Sequence, residues 1–178
     1  PAHTTIDGQF AAAGRIAAGG TYHVQITGRG GVPAGSPAAV LNITSVSPLA
    51  GGYLTVFPCG PQPTTSSINF AVGRVDANEV VAKLSASGEV CIFASQSTHV
   101  LVDAVGYVTP ISPYVPLTPG RFADTRTGAN IVTIDGQFLG GGLRGAGSTY
   151  EVQIAGRGSV PANASAVVMN VTVAGATA

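Results

Sequence analysis

The sequence predicts an all-β fold, a β-sandwich or jelly-roll-like architecture built as repeat domains, with no substantial helix. Three observations predict it. Short runs rich in β-branched and aromatic residues are bounded by Gly, Pro, Asn and Ser turn signals. No segment sustains an apolar stripe at i, i+3, i+4, i+7 over the length of a typical helix. The chain also repeats itself: "TIDGQF" begins at Thr5 and again at Thr133, and the following residues align without a gap at an offset of 128. About half of residues 1–50 recur identically at 129–178. That period far exceeds the roughly 20–50 residues of a solenoid unit, so each repeat should be a whole domain with its own core.

The elements follow in order. "TYHVQI" alternates Tyr22, Val24 and Ile26 against His23 and Gln25, the period of a half-buried strand, and "TYEVQI" (149–154) repeats the alternation with Glu151 in place of His23. "AAVLNITSV", "GYLTVFP", "SSINFAV", "NEVVAKLSAS", "EVCIFAS", "THVLVDAVGYV" and "GRFADTR" are further strand candidates, making eight or nine per period. "AAAGRIAAGG" and "LGGGLRGAGS" vary between the repeats and read as loops. Residues 51–108 and "PGRFADTRTG" (119–128) occur once. The expected organisation is therefore a first repeat over 1–109 without its opening RFADTR segment, a joint over 110–119, and the first part of a second repeat over 120–178. The chain is expected to be a piece of something longer.

The joint carries prolines at Pro110, Pro113, Pro116 and Pro119, the three-residue register of polyproline II. That register places Ile111, Tyr114 and Leu117 on one face, which is expected to pack on a neighbouring β-domain and set the angle between repeats.

Composition narrows the function classes. Charged residues make up 9% of the chain, the net charge is zero and the eight basic residues are scattered singly, which leaves no electrostatic footprint for nucleic acid or an anionic membrane. No apolar run approaches the ~20 residues of a membrane span, so membrane insertion is not expected. Cys59 and Cys91 sit at strand ends in a Thr/Ser/Gly-rich chain, which suits an oxidising, extracellular compartment. A bridge between them would contribute on the order of 3–4 kcal/mol in the chain-entropy model. Two small buried thiols are the alternative, and a metal site is weaker still, because neither cysteine has a His or second Cys at ligand spacing in the sequence.

No catalytic centre is legible, and no enzyme activity or cofactor is expected. Asp7-Gly8 and Asp135-Gly136 read as tight turns rather than calcium ligands, since no D-x-D-x-D-G run accompanies them. Gly28-Arg29-Gly30 and Gly156-Arg157-Gly158 run into Gly-Val-Pro and Ser-Val-Pro rather than a helix, so they read as turns whose arginines meet Asp7 and Asp135. Asp103 in "LVDAVGY", and Asp124 beside Arg126 in "RFADTR", are expected to pair with arginines because unpaired buried charge is costly. His3, His23 and His99 are isolated, and the replacement of His23 by Glu151 argues for an exposed face. Asn42, Asn163 and Asn170 match the N-glycosylation pattern, with a structural role preferred.

Together "RFADTR", "GYLTVFPCG", "SSINFAVG", "ANEVVAKLS", "GEVCIFAS" and "THVLVDAVGYV" resemble the extracellular tandem repeats of large secreted and cell-surface proteins of actinobacteria and related bacteria. The resemblance implies an exported, disulfide-permissive, all-β module, appended to secreted hydrolases or arrayed at the cell surface. The expected function is a structural repeat of a surface protein, fibre or sheath whose partners are neighbouring copies of the same repeat, assembling by strand exchange. The alternatives are a carbohydrate-binding module that takes cell-wall glycans, for which Tyr53, Tyr107 and Tyr114 are candidates, and an accessory domain of a secreted hydrolase.

Overall fold

The computed structural model describes residues 4–175, among which there is no helix. The chain divides into two compact units, Pro1–Thr118 and Pro119–Ala178.

The first unit is antiparallel β throughout. Its strands are β1 (Gly20–Gln25), β2 (Ala38–Val46), β3 (Gly52–Pro58), β4 (Ile68–Phe70), β5 (Val75–Lys83), β6 (Glu89–Ala94) and β7 (His99–Val108). They form a four-stranded sheet in the order β1-β6-β3-β4 and a three-stranded sheet in the order β5-β2-β7. Alternation in the sequence fixes which face each strand buries. Tyr22 and Val24 of β1 stand opposite Ile92 and Val90 of β6, which in turn faces Val56 and Leu54 of β3 through Ile92 and Ala94. In the other sheet Leu41 of β2 stands opposite Val80, and Ile43 opposite Val102. Side chains from both sheets meet in one buried cluster that includes Val24, Leu41, Ile43, Leu54, Val56, Ile68, Val90 and Ile92. Removing each such side chain from water stabilises the fold by about 1.5–3 kcal/mol.

Two local features shape the unit. The β2–β7 register shifts between Val40 and Leu41, a bulge that leaves Val105 without a partner in the ladder. The turn before β6 closes with Gly88 donating to the Ser85 carbonyl at 2.9 Å, at a φ of +81°. A Cβ there would collide with Thr27, so conformation and close approach both require glycine.

The second unit differs from the expectation. "GRFADTR" forms a single parallel bridge, Asp124 to Leu139, rather than a strand. Neither 149–154 nor 166–174 is a strand, although their counterparts are β1 and β2. The reason is pairing. In the first unit β1 is held by β6, and β2 lies between β5 and β7. The sequences of β5, β6 and β7 have no second copy at the 128-residue offset within the chain, and an extended segment without a ladder partner is not a strand.

The joint is also corrected. Residues 109–112 make a turn, with Ser112 donating to the Thr109 carbonyl at 3.0 Å, and this breaks the three-residue register at its start. Ile111 is 93% exposed, whereas Tyr114 and Leu117 are half-buried, so the three do not share one packed face. The end of the joint returns to its own unit, where Thr118 lines a groove with Pro58, Cys59, Pro61, Lys83 and Leu84. Pro110, Pro113 and Pro116 belong to the first unit and Pro119 opens the second.

Candidate functional site

The most elaborate side-chain arrangement in the first unit is built on the "TIDGQF" turn. Gly8, at φ +74°, donates to the Thr5 carbonyl at 3.3 Å, and Thr5 Oγ1 donates to the Gln9 carbonyl at 2.6 Å. Asp7 Oδ1 accepts from the Gln9 amide at 3.0 Å, the side-chain-to-backbone bond that makes Asp a turn residue. Arg29 reaches this carboxylate as a two-pronged fork, Nε to Oδ2 at 2.6 Å and Nη2 to Oδ1 at 2.7 Å, while its Nη1 donates to the Gln25 carbonyl at 2.8 Å. A planar guanidinium suits this geometry, as lysine would not. The "GRG" sequence positions it: Gly28 donates to the Val32 carbonyl at 2.8 Å and Val32 to the Arg29 carbonyl at 2.9 Å, a closed turn straight after β1. The guanidinium lies over Phe10, 4.8 Å from the ring centroid, and Phe10 meets Tyr22 edge-on. Hydrogen bonding to Arg29 pulls the Asp7 carboxyl down to about 2.

The same clamp recurs in the second unit. Arg157 Nε and Nη2 donate to Asp135 at 2.7 Å each, Nη1 donates to the Gln153 carbonyl at 2.6 Å, and the Asp135 carboxyl is likewise pulled down to about 2 by Arg157. Phe138 and Tyr150 repeat the edge-on ring pair. Here the clamp also holds RFADTR. Arg157 Nη2 donates to the Phe122 carbonyl at 3.0 Å and its guanidinium lies between Phe122, at 5.3 Å, and Phe138, at 4.6 Å. Asp124 is buried and bound from both sides, by Arg121 Nη1 at 3.1 Å and by Arg126 Nε and Nη2 at 2.9 and 2.6 Å. Arg126 first, then Arg121, hold its carboxyl below the ordinary value.

The expected pairs Asp7–Arg29, Asp135–Arg157 and Asp124–Arg126 are therefore formed. Asp103 is a correction: it is exposed on β7 opposite Asn42, and among the described residues it makes no ion pair. The premise of burial fails there, since a solvated carboxylate needs no partner. Arg121 as a second partner of Asp124 was not expected, although the spacing of arginines three before and two after the aspartate carried the signal. It also missed the stacking of Arg29 and Arg157 on phenylalanines, for which the repetition of Phe10 as Phe138 was the available clue.

Cys59 and Cys91 are joined in a disulfide, with Cα atoms 4.9 Å apart. His23 stands directly opposite Cys91 in the β1–β6 register, which brings its imidazole within 4.8 Å of both sulfurs. Cross-strand pairing thus supplies the proximity that sequence spacing did not. His3 lies outside the described residues. Chemically, the three carboxylates with lowered pKa values are each locked by guanidinium, an arrangement that fixes backbone rather than moving protons. No helix among the described residues is long and apolar enough to cross a membrane. No family model, curated protein or solved structure matches the chain.

Proposed function

We propose that the chain is a structural repeat of an extracellular surface protein, fibre or sheath, in which successive domains supply length and spacing and neighbouring repeats share strands. The observation that carries this reading is the arginine-clamped turn, built with the same bonds in two units 128 residues apart. A module reused with its bond lengths preserved is a spacer's economy. The Cys59–Cys91 disulfide supports placement outside the cell, where such bonds persist. The resemblance to actinobacterial surface repeats points the same way.

Light scattering coupled to size-exclusion chromatography, with electron microscopy of negatively stained samples, tests the reading. Concentration-dependent oligomers or filaments support it. A monomer at the highest soluble concentration, with no filaments, refutes it. A carbohydrate-binding role has one observation in its favour, the exposed Tyr53 ring 6.0 Å from Phe93. A glycan array against cell-wall polysaccharides decides it.

A further inference from the structure

The four-stranded sheet brings three metal-ligating side chains together from separate parts of the chain. His23 on β1 stands opposite Cys91 on β6, inside a run of six cross-strand pairs from Gly20 with Ala94 to Gln25 with Glu89. Cys59 follows directly on Pro58, the last residue of β3, and Pro58 pairs with Val90 beside Cys91. One ligand atom from each of His23, Cys59 and Cys91 lies within 4.8 Å of the others. Backbone pairing therefore fixes His23 beside Cys91 and sets Cys59 down next to them, independently of the bond between the two sulfurs.

These distances suit a tetrahedral thiophilic ion. With metal–sulfur bonds of about 2.3 Å and a metal–nitrogen bond of about 2.0 Å, two ligating sulfurs stand about 3.8 Å apart, and a sulfur and an imidazole nitrogen about 3.6 Å. Cysteines whose Cα atoms are 4.9 Å apart reach that separation by side-chain rotation. The group is also accessible. Cys91 is buried, but Cys59 is half-buried and lines an open groove with Gly60, Pro61 and Lys83, and His23 is exposed. The position equivalent to His23 in the second repeat is Glu151, whose side chain is also of a zinc-ligating type.

We propose that His23, Cys59 and Cys91 form a binding site for a thiophilic divalent cation of the zinc class when the disulfide is reduced. Reduction takes two equivalents of a small thiol. The first thiolate attacks Cys59 Sγ, the accessible sulfur; the S–S bond breaks, and Cys91 leaves as a thiolate that takes up a proton. The second thiolate attacks the sulfur of the first, Cys59 is released and protonated, and the two small thiols depart joined as a disulfide. The cation then binds both sulfurs and the neutral imidazole, displacing one proton from each thiol, with water in the fourth position. Disulfide and metal site exclude each other, because both use the same two sulfurs.

The test reduces the full chain anaerobically, removes the reductant and titrates Zn²⁺ against a chromophoric chelator, with Co²⁺ as the spectroscopic probe. One cation per chain is expected, with a thiolate-to-cobalt charge-transfer band and an NMR spectrum that keeps the amide dispersion of the oxidised chain. His23→Ala, at an exposed position, weakens binding roughly tenfold or more. His99→Ala, exposed on β7, leaves it unchanged. Cys59→Ser with Cys91→Ser removes the charge-transfer band. Absence of binding, equal affinity of the oxidised chain or of His23→Ala, one cation shared by two chains, or loss of amide dispersion on reduction overturns the proposal.

Discussion

Residues 38–46 and 166–174 are near-copies, and they meet opposite fates. Ile43 is fully buried and its counterpart Val171 is 80% exposed; Leu41 is fully buried and Met169 is 57% exposed. Residues 5–10 and 133–138 are copies too, yet they repeat the same Thr-to-Gln turn and the same arginine fork. The difference lies in the range of the partners. The turn and the Asp–Arg fork close on residues no more than 22 positions apart, all of which are present twice. The strand closes on β5, whose paired residues lie 29–45 positions away, and on β7, 53–70 positions away, which are present once. Local chemistry reproduces itself wherever its sequence recurs, and sheet structure requires the complement as well.

The largest effect tests that statement by supplying the complement. Ala178 is the counterpart of Ala50, so fusing a second copy of residues 51–108 after Ala178 continues the repeat in register. Amides of 166–174 are then expected to gain hydrogen-exchange protection of about a hundredfold or more, the factor for roughly 3 kcal/mol of opening free energy. Continued exchange at the unprotected rate would break the comparison. Next comes a matched pair of truncations. Leu41→Ala should cost about 2–5 kcal/mol in urea unfolding because it opens a cavity in the shared cluster. Met169→Ala should change it by less than about 0.5 kcal/mol. Equal losses would mean that 166–174 is buried in solution.

Cys59→Ser with Cys91→Ser should cost the first unit about 3–4 kcal/mol by releasing a 32-residue span, measured in the same melts. The clamp of the second unit, read from the Gln137 amide shift, should not move. A coupled loss would show that the units do not fold independently.

How much of this was legible in the sequence follows the same division. The strands of the first unit were readable from alternation, though "SSINFAV" shrank to the three residues of β4 and β5 begins at Val75, ahead of the Asn78 expected. The clamp was readable because Asp and Arg recur together at fixed spacing. What failed was inference by copying: "TYEVQI" carries the strand pattern of β1, but a pattern records which face would be buried, not whether a partner strand exists. The proline joint failed for a related reason. Period-three prolines constrain φ, but the Thr109–Ser112 turn sets where Ile111 points, and nothing in the prolines encodes it. Asp103 failed because scarcity of charge was taken as evidence of burial.

The smallest effect is the pH dependence of the two clamps. Both Asp7 and Asp135 titrate at about 2 in the folded chain, below the ordinary 3.8, chiefly because each accepts from an arginine fork. A folded-state value below the unfolded one means that the pair's contribution is fully present above about 3.8 and is lost as pH falls through about 2. The amides of Gln9 and Gln137, which donate to these carboxylates, report the loss directly. Their NMR shifts should move together, with midpoints near 2 and no change between pH 5 and 8. Arg29→Lys should raise the Gln9 midpoint toward 3.8 and leave Gln137 alone. If Asp135 instead titrates at the ordinary value while Asp7 does not, the clamp depends on the sheet beside it. The match between the two turns would then be sequence likeness without shared physics.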